Sequence, residues 1–187
     1  MTVMVSGEAF ASVLAAAQAG SEWAFNALYD DYNPRLLRYF AARAPREAED
    51  LASETWVGAA TKLAGFDGDE QAFRSWLFTI AHRRLVDHWR ERRADAWDPG
   101  SLPDKADVVG GPEETIVAGA SAQAAVQRIA SVLGPDQAEV VLLRILGGLG
   151  VEQVAEILGK RPGNIRVLQH RALRKLAEEI SLEDVTG

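Results

Sequence analysis

The sequence predicts an all-α protein built as two small helical domains joined by a flexible acidic linker. Three observations carry this. Apolar residues recur every three or four positions through two long stretches, and no alternating strand pattern of useful length is present. Alanine, leucine and arginine, all good helix formers, are plentiful. Between the two stretches lies a segment with Pro99, Pro103, Pro112 and four glycines, carrying six acidic residues against one lysine. Such a composition cannot bury a core. The domains are expected at 10–93 and 120–180, with the linker at 94–119.

In the first domain Leu28, Tyr32, Leu36 and Phe40 fall at intervals of four and line one helix face. Pro34 interrupts that pattern and predicts a kink or break, because it lacks an N–H and disfavours helix at Asn33. Pro45 separates this helix from the next, expected from about Arg46 to Leu63 with Leu51, Trp56, Ala60 and Leu63 facing inward. A polar loop, Gly65 to Glu70, precedes a long helix from about Gln71 to Arg93. Phe73, Leu77, Ala81, Leu85 and Trp89 repeat every four residues along it, and this spacing favours core over base stacking for Trp76 and Trp89.

The second domain opens with the apolar face Val126, Ile129 and Leu133. Gly134-Pro135 marks a stop and a restart, with proline at the first helical position. Ala138, Val141, Leu142 and Ile145 continue the next helix, which Gly147-Gly148 ends. A short helix from Val151 turns Val154, Ala155 and Leu158 inward. Gly159 follows where a helix ends in a left-handed residue. Pro162 opens the last helix, with Ile165, Leu168, Ala172 and Leu176 inward. A small residue four before the turn glycine and a β-branched one six after it match a helix-turn-helix. The outward face then presents Asn164, Arg166, Val167, His170, Arg171 and Arg174, which can reach base edges and phosphates in a major groove.

The 187 residues carry 20 basic and 27 acidic side chains, a net charge of −7. That balance taken whole argues against nucleic-acid binding, but its distribution does not. Six basic residues and no acidic one lie between Ile157 and Ala177, and six basic against two acidic between Phe73 and Arg93. The longest charge-free runs hold 13 residues, against roughly 20 needed to span a bilayer. No basic segment precedes the first apolar stretch, so neither a secretory signal nor membrane insertion is expected. The chain has no cysteine, which excludes disulfides and thiolate chemistry. No phosphate-cradling glycine loop and no His-Glu-x-x-His is present, and the three histidines lack ligand spacing. No enzyme activity, cofactor or metal is expected, and the expected location is the cytoplasm.

Two motif sets in order carry a resemblance. Val132-Leu133, Leu142-Leu143-Arg144, Val151 through Gly159 and His170-Arg171-Ala172 resemble region four of an extracytoplasmic-function (ECF) sigma factor. Ala48 through Trp56 is similar to that family's core-polymerase-binding segment. Phe73 through Arg84, followed by Asp87 and Arg90, is similar to its promoter-melting helix. The resemblance implies a subunit that binds core RNA polymerase through its β′ and β subunits and directs initiation at promoter DNA, with an anti-sigma factor as regulator.

Carried over residue by residue, the resemblance implies polymerase contacts at Asp50, Leu51 and Glu54. The two carboxylates lie four apart on one helix face. It implies minus-ten contacts at His82, Arg83, Arg84, His88 and Arg90, with the histidines on a solvated or phosphate-facing surface. Phe66, Asp67 and Asp69 are candidates, by position, for capturing a flipped base. Minus-thirty-five contacts fall on Asn164, Arg166, Val167, His170, Arg171 and Arg174. The chain departs from the family's usual residues at Ser53 and Arg83, and Arg161 stands where a Ser or Thr N-cap is usual. The alternative reading is a stand-alone helix-turn-helix transcriptional activator, which would bind its operator without polymerase.

Overall fold

The computed structural model describes residues 8–95 and 117–186, and among these the secondary structure is helical throughout. The eight helices are α1 (Glu8–Gln18), α2 (Glu22–Arg43), α3 (Ala48–Lys62), α4 (Glu70–Asp95), α5 (Val117–Val132), α6 (Pro135–Ile145), α7 (Val151–Leu158) and α8 (Pro162–Thr186). Short 3-10 turns at Pro45–Glu47 and Leu63–Gly65 flank α3. Both ends of the expected linker are helical, since α4 runs to Asp95 and α5 begins at Val117. The rest of that expectation, 96–116, lies outside the described residues.

The first four helices form a bundle around the predicted stripes. Leu28, Tyr32, Leu36, Tyr39 and Phe40 of α2 are buried, as are Phe73, Leu77, Ala81 and Leu85 of α4. Of the kink or break expected at Pro34, the break does not occur, and α2 continues through it. Pro34 is exposed and buried residues flank it on the opposite face. Packing on either side therefore holds the helix, while the carbonyl that loses its partner faces solvent. On α3, Ala59 rather than Ala60 faces the core. Phe10, Tyr32, Phe66, Trp76 and Phe73 form an aromatic centre, with ring centroids 5.0 to 5.6 Å apart in their contacting pairs. Offset and edge contacts of this kind add to the area they bury.

The later helices pack with an aliphatic core, because every Phe, Trp and Tyr of the chain lies before residue 98. Val140, Leu142, Leu143, Val154, Ile165 and Ala172 are fully buried or nearly so. Ile145, named with Ala138, Val141 and Leu142 as continuing this helix, is 58 % exposed, and Leu146 and Leu149 are buried instead. The slip follows from the helix end. At Gly147 an added Cβ would stand 2.7 Å from the Leu143 carbonyl oxygen, so the chain can turn tightly there and fold Leu149 back under α6. The two blocks touch. α5 lies on α2, α7 lies on α4, and their buried apolar side chains form one continuous cluster.

Candidate nucleic-acid interface

The turn between α7 and α8 is built as the spacing requires. Gly159 sits at φ 62° and ψ 30°, left-handed, and its N–H is received by the carbonyls of Ala155 and Glu156. The Lys160 N–H bonds the Ala155 carbonyl at 2.9 Å. Ala155 and Ile165 are buried between the helices. At the start of α7 the Gln153 side chain accepts the Gly150 N–H at 2.8 Å, satisfying one orphan donor. At the start of α8 no side chain of the cap residue, Arg161, is needed to hold the turn. Its carbonyl receives the N–H groups of Asn164 (2.9 Å) and Ile165 (3.2 Å).

This geometry leaves Asn164, Arg166, Val167, His170, Arg171 and Arg174 exposed on one side of α8. Arg166 pairs with Glu152 of α7 at 2.8 Å, and Arg174 pairs with Glu178 at 3.4 Å. Both pairs are largely solvated and worth little, so a phosphate can displace either carboxylate.

The second basic face is on α4. Arg83 and Arg90 are exposed, and Arg90 stands 3.5 Å from Asp87. Arg84 is half-buried, 3.6 Å from Glu54 of α3. His88 is only 17 % exposed, so it too departs from the expected solvated surface, and it lies 3.9 Å from Glu47, which also receives Arg92 at 2.9 Å. His82 departs from the expectation of a solvated or phosphate-facing histidine. It is only 15 % exposed and its Nδ1 lies 2.9 Å from Glu139 Oε1 on α6. The cause is tertiary, since the second block covers this part of α4. Trp76 packs on Phe66 and Phe73, and the Arg43 guanidinium stacks over Trp89 at 4.9 Å.

In the loop before α4, Phe66 is half-buried against Phe73 and Trp76, and Asp67 is exposed. Asp69 caps α4, accepting the Ala72 N–H at 2.8 Å. Gln18 of α1 donates to the carbonyls of Leu63 (3.0 Å) and Phe66 (2.6 Å), which fixes the loop to the bundle.

On α3, Asp50 and Glu54 are exposed and side by side along one face. Leu51 is only 4 % exposed and belongs to the core, so it cannot be the apolar contact beside them. Val57 takes that position. It lies one turn beyond Glu54 on the same face and is 64 % exposed. Tyr29 packs on Trp56 at 5.1 Å and is itself exposed, as is Trp23. The spacing Asp50, Glu54, Val57 was readable from sequence. The inward placement of Leu51 was readable too, and it conflicts with the contact role that the resemblance gives this residue.

A helix-turn-helix with an exposed basic face, in one chain with a helical bundle that carries a basic long helix, is the architecture of a sigma-type factor, and the comparisons with known proteins agree. The Sigma-70 region 2 family model matches residues 28–94, and the Sigma-70, region 4 family model matches residues 123–176. The chain is 33 % identical over 171 residues to ECF RNA polymerase sigma factor ShbA of Streptomyces griseus, covering 84 % of this chain and 87 % of that protein. It is 37 % identical over 164 residues to ECF RNA polymerase sigma factor BldN of Streptomyces coelicolor, covering 86 % of this chain and 62 % of that longer protein. Among solved structures, the complex of CnrH with the cytosolic domain of CnrY has a TM-score of 0.60 at 22 % identity, covering 91 % of this chain and 96 % of that one. The sigma factor RpoE with the anti-sigma factor NepR from Bartonella quintana gives 0.64 at 22 % identity, covering 84 % and 96 %. These two share the fold. The chain belongs to the ECF RNA polymerase sigma factors, the subunits that direct promoter-specific transcription initiation. A stand-alone activator is not favoured, because it accounts for the helix-turn-helix but not for region 2.

Proposed function

We propose that the labour is divided along the chain as 10–93, 94–119 and 120–180. The first segment docks on core polymerase and reads and melts the minus-ten element. The last reads the minus-thirty-five duplex. Asp50 and Glu54 meet a basic polymerase surface, with exposed Val57 supplying the apolar contact. Arg83, Arg84 and Arg90 follow the minus-ten strand, with Phe66, Asp67 and Asp69 at the loop that would receive a flipped base. Asn164, Arg166, Val167, His170, Arg171 and Arg174 enter the major groove. The single observation that best supports this is the exposed, basic outer face of α8 behind a left-handed Gly159 turn.

The protein works without catalysis, in the cytoplasm, and an anti-sigma factor restrains it. RpoE of Bartonella quintana is bound by such a factor, NepR, which supports this last point. An acidic chain (net −7) gains DNA affinity beside polymerase, where the second binding event becomes intramolecular. The test is core binding by the Asp50→Lys, Glu54→Lys double variant. Both positions are exposed, so the fold should persist. The reading predicts at least a tenfold loss of core affinity; unchanged affinity would remove α3 from the interface.

A further inference from the structure

Phe10, Leu14 and Gln18 stand four apart, in a row along one face of α1. The first two are buried, and Phe10 packs on Phe73 of α4 at 5.5 Å. Gln18 is half-buried and ends the row. Its Nε2 donates to the Leu63 carbonyl at 3.0 Å and to the Phe66 carbonyl at 2.6 Å. Both partners are acceptors, so the amide nitrogen faces them and both of its hydrogens are used. Leu63 closes the C-terminal end of α3, where carbonyls run out of helical partners. Its carbonyl also receives the Phe66 N–H at 3.0 Å. One side chain of α1 therefore ties together both ends of the turn 63–66.

The rest of the loop is held from the other side. The Phe66 ring lies 5.0 Å from Trp76 and 5.6 Å from Phe73. Gly68 runs so close to α4 that an added Cβ would stand 2.7 Å from the Ala72 Cβ and 3.1 Å from Phe66 Cζ. Asp69 accepts the Ala72 N–H at 2.8 Å. Ala64, Gly65, Asp67, Gly68 and Asp69 are nevertheless exposed. The loop thus faces solvent with its backbone shape already fixed. A loop ordered only at the moment of binding draws on binding energy, and one fixed beforehand does not.

We infer that Gln18 is a positioning residue for minus-ten recognition, holding the 63–69 loop in its base-receiving shape before DNA arrives. This role rests on the reading of Phe66, Asp67 and Asp69 as the receiving loop. Gln18 acts there only as a donor, and that chemistry sorts its substitutions. Gln18→Met keeps the length and loses the donors. Gln18→Glu keeps the shape but sets an acceptor-only carboxylate against two carbonyl oxygens. Gln18→Lys keeps donors for both carbonyls.

The test uses holoenzyme assembled with each form of the full chain. It is titrated with a fluorescein-labelled single strand of the non-template sequence, carrying a minus-ten element mapped by transcription. Companion strands lack one base each, leaving an abasic sugar. The ratio of the intact to the abasic affinity measures base capture at that position, and it does not depend on how much of the chain is folded. Wild type should favour the intact strand about tenfold at one position, the size expected of a single stacked base. Gln18→Met and Gln18→Glu should lower that ratio about threefold or more, and Gln18→Lys should keep it within about twofold of wild type.

Urea midpoints are measured alongside. A purely structural residue would lower the midpoint and leave the ratio unchanged, which overturns the positioning role. A loss in Gln18→Lys as large as in Gln18→Glu also overturns it. Gly68→Ala, which crowds Phe66 from the opposite side, should lower the same ratio. A wild type with a ratio near one at every position removes the base-receiving reading of the loop, and the role of Gln18 with it.

Discussion

Replacing Gly159 by alanine isolates the energetics of the helix-turn-helix corner. The residue is left-handed, at φ 62° and ψ 30°, and a Cβ built there meets nothing within 4 Å. No clash contributes, so the cost is backbone strain alone, about 1–2 kcal/mol for an L-residue with a Cβ. Alanine also restricts the unfolded chain, which returns about 0.4–1 kcal/mol. The net loss is therefore about 1 kcal/mol, or roughly 2–4 °C in midpoint for a chain of this size. Gly159→Asn should lose less, since asparagine visits this conformation more readily. The assay is urea unfolding followed by far-ultraviolet circular dichroism and, separately, by tryptophan fluorescence. Four of the five tryptophans lie in region 2, Trp97 lies in the linker, and none lies in region 4, so fluorescence carries no direct signal from region 4. If the blocks unfold as one body, both probes shift together. A loss above about 3 kcal/mol, or asparagine costing more than alanine, would refute the reasoning that strain alone sets the cost.

Leu51→Ala should cost about 2–5 kcal/mol as a cavity in the region 2 core, seen as a lowered urea midpoint. Asp50→Asn with Glu54→Gln should stay within about 0.5 kcal/mol, because both groups are exposed and the Glu54–Arg84 pair at 3.6 Å is solvated. The Tyr32 hydroxyl is buried with no hydrogen-bond partner among the described residues, so Tyr32→Phe should be neutral or stabilising by up to about 1 kcal/mol in the same unfolding assay. Arg171→Ala in holoenzyme should lower promoter affinity and reduce the steepness of its salt dependence by about one, which a titration at several salt concentrations reads directly. Glu139 faces Tyr39 and Arg43 from α2 and His82 from α4, with the Lys160–Asp136 pair lining the same cleft. Its depressed carboxyl contributes stability fully above the ordinary value of 4.5 and loses that contribution as pH falls through the lowered value. The urea midpoint should therefore fall on acidification below about pH 4.5, with no change between pH 6 and 8 from this group.

Much of the fold was legible because helical periodicity is local. The stripes on α2 and α4, the Gly159 turn and the Ile165 plug follow from spacing and from the conformational demands of single residues. The misreadings arose where tertiary packing outvoted local rules. Pro34 failed to break α2 because buried side chains on the opposite face hold the helix on either side. Leu51, expected to face inward and found there, was also given a polymerase contact by the resemblance, and a buried side chain cannot serve both roles; the exposed apolar residue beside Asp50 and Glu54 is Val57. His82 looked like a surface histidine because its partner, Glu139, is 57 residues away in sequence. Glu139 itself gave no signal, being one of two acidic residues on a short helix, and its burial exists only where the two blocks meet.

Transcription in vitro tests the central claim most directly. Purified chain and core RNA polymerase would be given fragmented genomic DNA of the source organism, and the RNA 5′ ends sequenced. A sigma factor that reads DNA through α4 and α8 predicts discrete new starts sharing two upstream elements, with starts lost when Arg166 and Arg171 are both replaced by alanine. No new starts, from a chain that binds operator DNA tightly without polymerase, would contradict the account.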